Sequence, residues 1–276
     1  MTTVGDLMTD DIVTVELPGT REDVIEILRS GDFSSVPVEK DGTYRGLVSR
    51  EELLQKPDED QLAMLMREVP TVTEDASVED CAAVMLEEEE RRIPVVTDST
   101  VVGIVTLTDM VAYVADQGIA EDVGEYVSDG VLTTWIETPV AVAHRTLTLA
   151  DASAACALDD DGDMVGILTE TDCIRVADTD THTEEIGESV AGQDDEWMWE
   201  GIKSTSTQLI PVTSVTFPDG PVGDYMVDDV VTVVRSTDVS DAAATMTENG
   251  VQHLPILRGD SLVGMVRDTD LVRAIL

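Results

Sequence analysis

The chain has 276 residues, of which 42% are hydrophobic and only 3% aromatic. This length allows about two domains of ordinary size, and the composition is typical of a globular α/β protein. Aspartate and glutamate number 58 against 16 lysines and arginines, so the formal net charge is −42. A negative field of this size repels phosphate backbones and anionic lipid, which argues against direct binding to nucleic acid or to a membrane surface.

The acidic residues alternate with apolar ones instead of forming blocks, which argues against a disordered acidic tail. Such a composition resembles that of soluble proteins from extreme halophiles, where a Debye length of about 3 Å in molar salt screens surface carboxylates. The three cysteines, Cys81, Cys156 and Cys173, form no metal-binding pattern. The chain shows neither an export signal nor an apolar run long enough to span a membrane. We therefore expect a protein of the reducing cytoplasm.

The first elements predict one small unit. The run IVTV, ending at Val15, favours a strand, and Thr20 with an acid three residues later predicts the start of a helix. The apolar runs VPV and GLV, separated by Asp41-Gly42, then predict a hairpin, and a second helix follows Ser49. The unit is therefore β-α-β-β-α.

The same pattern recurs along the chain. GLVSREEL (46–53) is followed by GIVTLTDM (103–110), GILTETDC (166–173) and GMVRDTDL (264–271). In the third copy the middle strand has lost its proline and reads ACALDDDG. We assign repeats to 1–57, 58–119, 120–180 (degenerate) and 221–276, with an insert at 181–220 that contains Trp197 and Trp199. The insert is predicted either to cover apolar surface of the third repeat or to dock a partner.

A unit of about 50 residues buries too little apolar surface to be robust alone. We therefore predict an α+β fold in which four tandem units pair into two pseudo-twofold modules. The repeated unit, with its apolar-Pro-apolar strand and its GhhTxxD junction, resembles the CBS domain, named after cystathionine β-synthase. This resemblance implies ligand clefts between paired units, adenosine-containing ligands such as AMP, ADP, ATP or S-adenosylmethionine, and a regulatory role.

Two interpretations of the TxxD spacing remain open. The first is a capping box, in which the acid accepts a hydrogen bond from the backbone of the cap residue. The second is a ligand site, in which the helix N-terminus receives phosphate and the acid accepts hydrogen bonds from ribose hydroxyls. The pairs concerned are Thr106/Asp109, Thr169/Asp172, Ser49/Glu52 and Arg267/Asp270. Capping explains the last pair less well, because the threonine is lost and the acid persists.

An anionic ligand needs local positive charge in so acidic a chain. Arg92 and His253 occupy the same repeat position, two residues before Pro94 and Pro255, and are candidates for that charge. Arg92 can alternatively neutralise the acidic run at 87–90. Arg267 can pair with a phosphate or simply fill its own site.

No catalytic motif occurs, and the repeats occupy the length that a catalytic domain would need, so we do not expect an enzyme. We predict a stand-alone sensor that requires no cofactor, binds an adenine nucleotide or S-adenosylmethionine as regulatory ligand, and signals to an unknown regulated protein. The alternatives are an interaction scaffold with empty or self-filled clefts and a divalent-metal sensor. The four repeats are expected to form either one monomeric disc or a homodimer.

Overall fold

The structure is a computed structural model that describes residues 2–30, 34–56, 59–127, 130–185, 209–259 and 261–276. It confirms the predicted α+β fold of four repeats. Repeat 1 contains α1 Val4–Leu7, β1 Val15–Glu16, α2 Arg21–Ser30, β2 Ser35–Lys40, β3 Thr43–Ser49 and α3 Arg50–Gln55. Repeat 2 contains α4 Leu62–Leu65, α5 Val78–Glu87, β4 Arg92–Thr97, β5 Thr100–Thr106 and α6 Leu107–Asp116.

Repeat 3 opens with a 3-10 turn at Val123–Glu125. It continues with β6 Thr133–Trp135, α7 Val140–Ala150, β7 Ala154–Leu158, β8 Met164–Thr169 and α8 Glu170–Val176. The insert forms an antiparallel pair, β9 Asp178–Glu185 and β10 Leu209–Thr216. Repeat 4 contains a 3-10 turn at Val222–Asp224, α9 Val239–Asn249, β11 His253–Arg258, β12 Ser261–Arg267, α10 Asp268–Val272 and a final 3-10 turn at Arg273–Ile275.

Each repeat is built on an antiparallel hairpin, β2–β3, β4–β5, β7–β8 or β11–β12. In repeats 1 and 3 the first strand, β1 or β6, adds to this hairpin in parallel. In repeats 2 and 4 the corresponding contact is a single bridge, Val72 to Val95 and Val233 to Ile256. The first strand of the predicted unit is therefore reduced to one residue in half of the repeats.

The local signals behave largely as predicted. Asp41 and Gly42 both have positive φ, 53° and 72°, as a tight hairpin turn requires. Ser77 caps α5 by accepting from the Asp80 N–H at 3.0 Å. In repeat 3 the pair Thr138-Pro139 predicts a helix with Pro139 as its first residue, but in the structure Pro139 is the N-cap of α7 and the helix begins at Val140. Asp238 precedes α9 without a side-chain cap bond.

The leading segment of each repeat packs on the neighbouring repeat, which the sequence analysis did not anticipate. The Val4 N–H donates to the Ala76 carbonyl at 3.0 Å, so α1 joins repeat 2. In return Leu62 and Leu65 of α4 are buried in the core of repeat 1. Repeats 3 and 4 exchange their leading turns in the same way, with Val123 bonded to repeat 4 and Val222 to repeat 3. This reciprocal exchange ties the repeats into two modules.

The exchange also explains the glycine of the GhhT motif in repeats 1 to 3. A Cβ on Gly46 would lie 2.6 Å from the Arg67 carbonyl oxygen, and one on Gly103 would lie 3.0 Å from the Thr9 carbonyl oxygen. The exchanged backbone therefore passes where a side chain would stand. Only glycine allows this approach without a shift.

The two modules meet through helices of repeats 2 and 4. Residues of α5 and α6 share one buried cluster with residues of α9 and α10, including Met110, Val111, Ala243 and Val272. Repeats 1 and 3 have separate buried clusters of their own. Among the described residues, the cluster that includes this junction is the largest apolar core.

The insert contacts repeat 3 at its end. The ring of Phe217 lies against that of His144 on α7, with centroids 4.6 Å apart, so this end covers part of the helix. Trp197 and Trp199 lie outside the described residues. Over the described ranges, the helices are too short or too polar to cross a membrane.

Candidate functional site

The TxxD motifs place an acid at the third residue of a closing helix. In repeat 2 the main-chain N–H and the hydroxyl of Thr106 both donate to Asp109 Oδ2 at 2.7 Å. Thr169 donates to Asp172 Oδ2 in the same way, at 3.0 and 2.6 Å. The capping boxes expected from the spacing are therefore formed.

Capping also accounts for the motif that lacks threonine. The Arg267 main-chain N–H donates to Asp270 Oδ2 at 3.0 Å, a bond that needs no hydroxyl on the cap residue. In repeat 1 the Ser49 N–H donates to Glu52 Oε2 at 2.7 Å, so the longer acid reaches the same place. Persistence of the acid in repeat 4, which the sequence left unexplained, follows from this backbone bond.

The four acids differ in what binds their second carboxylate oxygen. An arginine of the same chain occupies it in three repeats: Arg67 Nε on Glu52 at 2.6 Å, Arg175 Nη2 on Asp172 at 3.2 Å, and Arg273 Nη1 on Asp270 at 3.0 Å. These three acids are buried, and the arginines offset the cost of burying their charge. Within the described part of the chain, Asp109 contacts no arginine or lysine.

The arginine of repeat 1 holds two acids at once. Arg67 also donates from Nη2 to Glu90 Oε2 at 2.8 Å, so it joins Glu52 of repeat 1 to the segment between α5 and β4 in repeat 2. Burial alone would raise the pKa of Glu52, but hydrogen bonds from Ser49 and Arg67 outweigh it and hold the pKa below its ordinary value. Glu52 is therefore an ionised, fully engaged carboxylate.

The predicted cations lie beside the motifs. Arg92 is paired with Thr106 across β4 and β5, and His253 with Arg267 across β11 and β12. Arg92 Nε donates to Ser34 Oγ at 2.9 Å, and His253 Nε2 lies 2.8 Å from Ser153 Oγ. In both modules the second repeat thus reaches across to a serine of the first.

The two candidates differ in charge. Burial lowers the pKa of His253 to about 4, so the imidazole is neutral at pH 7 and can offer a hydrogen bond but no positive charge. Arg92 carries a guanidinium group, which stays charged in proteins. The structure therefore brings together Arg92, Thr106 and Asp109 at one end of repeat 2, with the cation on the strand and the acid on the helix.

Arg91, the residue that follows the acidic run at 87–90, forms an ion pair outside that run. Arg91 reaches across the module junction to Asp268 at the start of α10, with Nη1–Oδ1 at 3.4 Å. Glu90 is neutralised by Arg67 instead. The cross-module pair was invisible in the sequence, because its members lie 177 positions apart.

Asp109 opens onto a surface groove of about 410 Å³ between α1 and α6. The groove is also lined by Asp6, Tyr113 and Asp116. Its charged side chains are all acidic, so a phosphate is repelled from this end, whereas a sugar or a base is not. Tyr113 adds an aromatic ring to the wall.

Some of these contacts had a signal in the sequence. Arg175 and Arg273 each follow the motif acid by three residues, the spacing of neighbours on a helix face. Arg67 had no such signal, because it comes from the exchanged segment of the other repeat. Over the described ranges, no group of three or more His, Cys, Asp or Glu side chains is placed to hold a metal ion.

Comparison with known proteins agrees with this architecture. The chain matches the CBS domain family at residues 4–59, 62–116, 123–178 and 222–276, and it belongs to that family. It is 26% identical over 279 residues to the uncharacterized protein MJ1404 of Methanocaldococcus jannaschii; the match covers 99% of this chain and 61% of that protein.

Two solved structures resemble the whole chain. An uncharacterized conserved protein from Pyrococcus horikoshii superposes with a TM-score of 0.71 at 25% identity, with 99% of this chain and 100% of that chain covered. Protein MJ1225 of Methanocaldococcus jannaschii gives a TM-score of 0.70 at 16% identity and the same coverage, a likeness of fold. The fold of the whole chain is thus similar to that of these two proteins.

Proposed function

We propose that the protein is a regulatory sensor that binds an adenosine-containing ligand at repeat 2. The observation that carries the proposal is the unequal state of the four motif acids: three are occupied by arginines of the chain, and Asp109 has none among the described residues. Asp109 also faces a groove. A ligand can therefore reach this acid without displacing an ion pair.

The geometry fits a ribose. Asp109 Oδ2 already accepts two hydrogen bonds from Thr106. A carboxylate offers about four acceptor sites, so Oδ1 is left to accept both hydroxyls of a sugar diol. Each such charge-assisted bond contributes about 1.5 to 3 kcal/mol.

Charge sets the orientation of this ligand. Asp6 and Asp116 make the groove unsuitable for phosphate, whereas Arg92 and the N-terminus of α6 lie at the other end of the site. The nucleoside is therefore placed in the groove and any phosphate points towards Arg92. S-adenosylmethionine is also compatible with the acidic groove, because its sulfonium group is positively charged.

The proposed output is a change in module orientation. Arg91 connects the site to the other module. It directly precedes Arg92, and its carbonyl accepts a hydrogen bond from the Leu107 N–H at the start of α6. Its side chain forms an ion pair with Asp268 of the other module. Ligand binding would shift the population of orientations in proportion to its differential affinity for them. The same proposal includes a regulated protein that responds to the change in module orientation. It also includes a cytoplasmic location and adaptation to high salt.

A melting screen in 2 M KCl tests the ligand. Adenosine, AMP, ADP, ATP and S-adenosylmethionine are each added to wild type, Asp109→Asn and the matched control Asp172→Asn. A ligand at 100 times its dissociation constant stabilises by about 2.7 kcal/mol, or about 5–10 °C for a chain of this size. We expect a shift with wild type and Asp172→Asn that is lost in Asp109→Asn. Asparagine retains a carbonyl oxygen that can cap α6, so loss of the cap does not confound the comparison.

The second candidate is a scaffold with self-filled clefts, which the three arginine-occupied acids favour. It predicts no shift with any adenosine compound. A shift that survives Asp109→Asn would place the ligand elsewhere and refute the assignment to repeat 2.

A further inference from the structure

Repeat 3 carries an exposed tryptophan at a strand position where the other repeats have smaller side chains. Trp135 of β6 pairs with Leu158 of β7 and is 50% exposed. The corresponding residues of repeats 1, 2 and 4 are Glu16, Thr73 and Val234. Aromatic residues make up only 3% of the chain. The indole therefore adds to this surface a large apolar ring that the sibling repeats lack.

The hairpin turn beside this tryptophan also differs from its counterparts. Two residues connect the hairpin strands in repeats 1 and 2, whereas five residues, 159–163, connect β7 to β8. Four of these five are aspartates. Asp159 Oδ1 accepts the backbone N–H groups of Asp161 and Asp163, each at 3.0 Å. The longer turn thus has a fixed backbone and concentrates negative charge next to the ring.

Trp135 and this turn line a surface groove of about 420 Å³, which we call the Trp135 groove. The indole N–H donates to Asp160 Oδ1 at 2.9 Å, so the ring is held against the turn. The charged residues among those that line the groove are all acidic: Asp159, Asp160 and Asp161. The groove therefore combines one aromatic ring with several carboxylates.

The Trp135 groove is separate from the TxxD motif of its own repeat. The motif residue Thr169 pairs with Ala154 at the start of β7, whereas Leu158 at the end of β7 lines the groove. At about 3.3 Å per residue, these two ends of the strand are roughly 13 Å apart. The groove thus lies at the turn end of the hairpin, and the motif lies at the helix end.

The chemistry of the groove selects a cation that has an apolar surface. The carboxylates repel anions and attract any cation, including K⁺. The face of an indole ring adds attraction for a cation that can contact it directly, and alkylated ammonium groups are recognised by aromatic rings in this way. An organic ammonium ion therefore satisfies the ring and the carboxylates together.

We propose that the Trp135 groove of repeat 3 binds a small organic ammonium ion. The alkylated nitrogen lies against the indole, and its charge is offset by Asp160 and Asp161. This ligand is opposite in charge to a nucleotide, and its site is independent of Asp109.

NMR of the indole N–H signals of the full chain tests the proposal. The chain has three tryptophans, and Trp135→Phe assigns the signal of Trp135 by its disappearance. Choline chloride replaces KCl at a constant total of about 2 M chloride, so screening does not change. We expect a saturable shift of the Trp135 signal that is complete by ~100 mM choline. The neutral alcohol 3,3-dimethyl-1-butanol, in which carbon replaces the nitrogen of choline, should leave the signal in place. No saturable shift with choline, or an equal shift with the alcohol, would overturn the proposal.

A matched pair of variants separates the groove from the net charge of the chain. Asp161→Asn keeps the backbone N–H of the turn and should raise the dissociation constant of choline about two- to fivefold. The control Asp41→Asn removes one charge from the hairpin turn of repeat 1 and should not change it. Equal weakening in both variants would assign the attraction to the overall charge and refute the site. Adenosine should not move the Trp135 signal, so this test is independent of the ligand proposed for repeat 2.

Discussion

The neutral histidine between repeats 3 and 4 allows a quantitative test of the packing. Burial lowers the pKa of His253 from 6.5 to about 4, with Arg267 and Arg91 adding to the effect and Asp268 opposing it. In the unfolded chain the imidazole takes up a proton near pH 6.5. Since the folded pKa is the lower one, His253 costs nothing above pH 6.5, and stability is lost as the pH falls from 6.5 towards 4.

The magnitude follows from these two values. One pH unit corresponds to about 1.36 kcal/mol, so at pH 4.5 the folded state is penalised by about 2.5 kcal/mol relative to pH 7.5. Replacing His253 with glutamine removes the titration and keeps a group that can hydrogen-bond Ser153. Between pH 7.5 and 4.5, wild type should therefore lose about 2.5 kcal/mol more unfolding free energy than His253→Gln. The carboxylates titrate in both proteins and cancel in the difference.

Two measurements check this. Denaturant unfolding in 2 M KCl at both pH values gives the free energies, and the NMR titration of the imidazole Cε1–H signals gives the pKa directly. The chain has only three histidines, so His253→Gln assigns the signal by its disappearance. A midpoint near 6.5 for His253, or an equal loss of stability in the two proteins, would refute the burial of a neutral imidazole.

Three further predictions concern the repeat pairing and the charge. Gly46→Ala should lower the free energy of unfolding by about 1–3 kcal/mol, because the added Cβ would lie 2.6 Å from the Arg67 carbonyl oxygen. In the control Gly264→Ala the Cβ would meet a Val127 methyl group at 3.0 Å, which can move. Denaturant unfolding should therefore show a smaller decrease in unfolding free energy for Gly264→Ala. Arg67→Ala should lower the free energy of unfolding by about 2–3 kcal/mol at pH 7, because it leaves the buried Glu52 carboxylate without its ion-pair partner. Since the pKa of Glu52 is lowered in the folded protein, the ion pair stabilises the fold above the unfolded pKa, and its contribution is lost as the pH falls below about 4. If the difference in unfolding free energy between wild type and Arg67→Ala were as large at pH 3 as at pH 7, the prediction would be contradicted. The melting temperature should rise between 0.1 M and 2 M KCl as salt screens the net charge of −42, and an unchanged value would count against halophilic adaptation.

The sequence alone determined what is local or repeated. Val15, the cap at Ser77, the Asp41-Gly42 turn and the TxxD spacing are short-range signals, and their fourfold recurrence predicted the β-α-β-β-α unit and its pairing. Capping boxes act over three residues, so they could be predicted from spacing. The acid in every motif was visible for the same reason.

Tertiary structure decided which acid is left open and which repeats join the modules. Arg67 reaches Glu52 only because α4 crosses to the other repeat, and Arg91 meets Asp268 only because repeats 2 and 4 pack together. Such contacts depend on close packing between distant segments, and no local propensity encodes them. Four similar motifs therefore become four different sites, and the difference between Asp109 and its three counterparts emerges only in the folded chain.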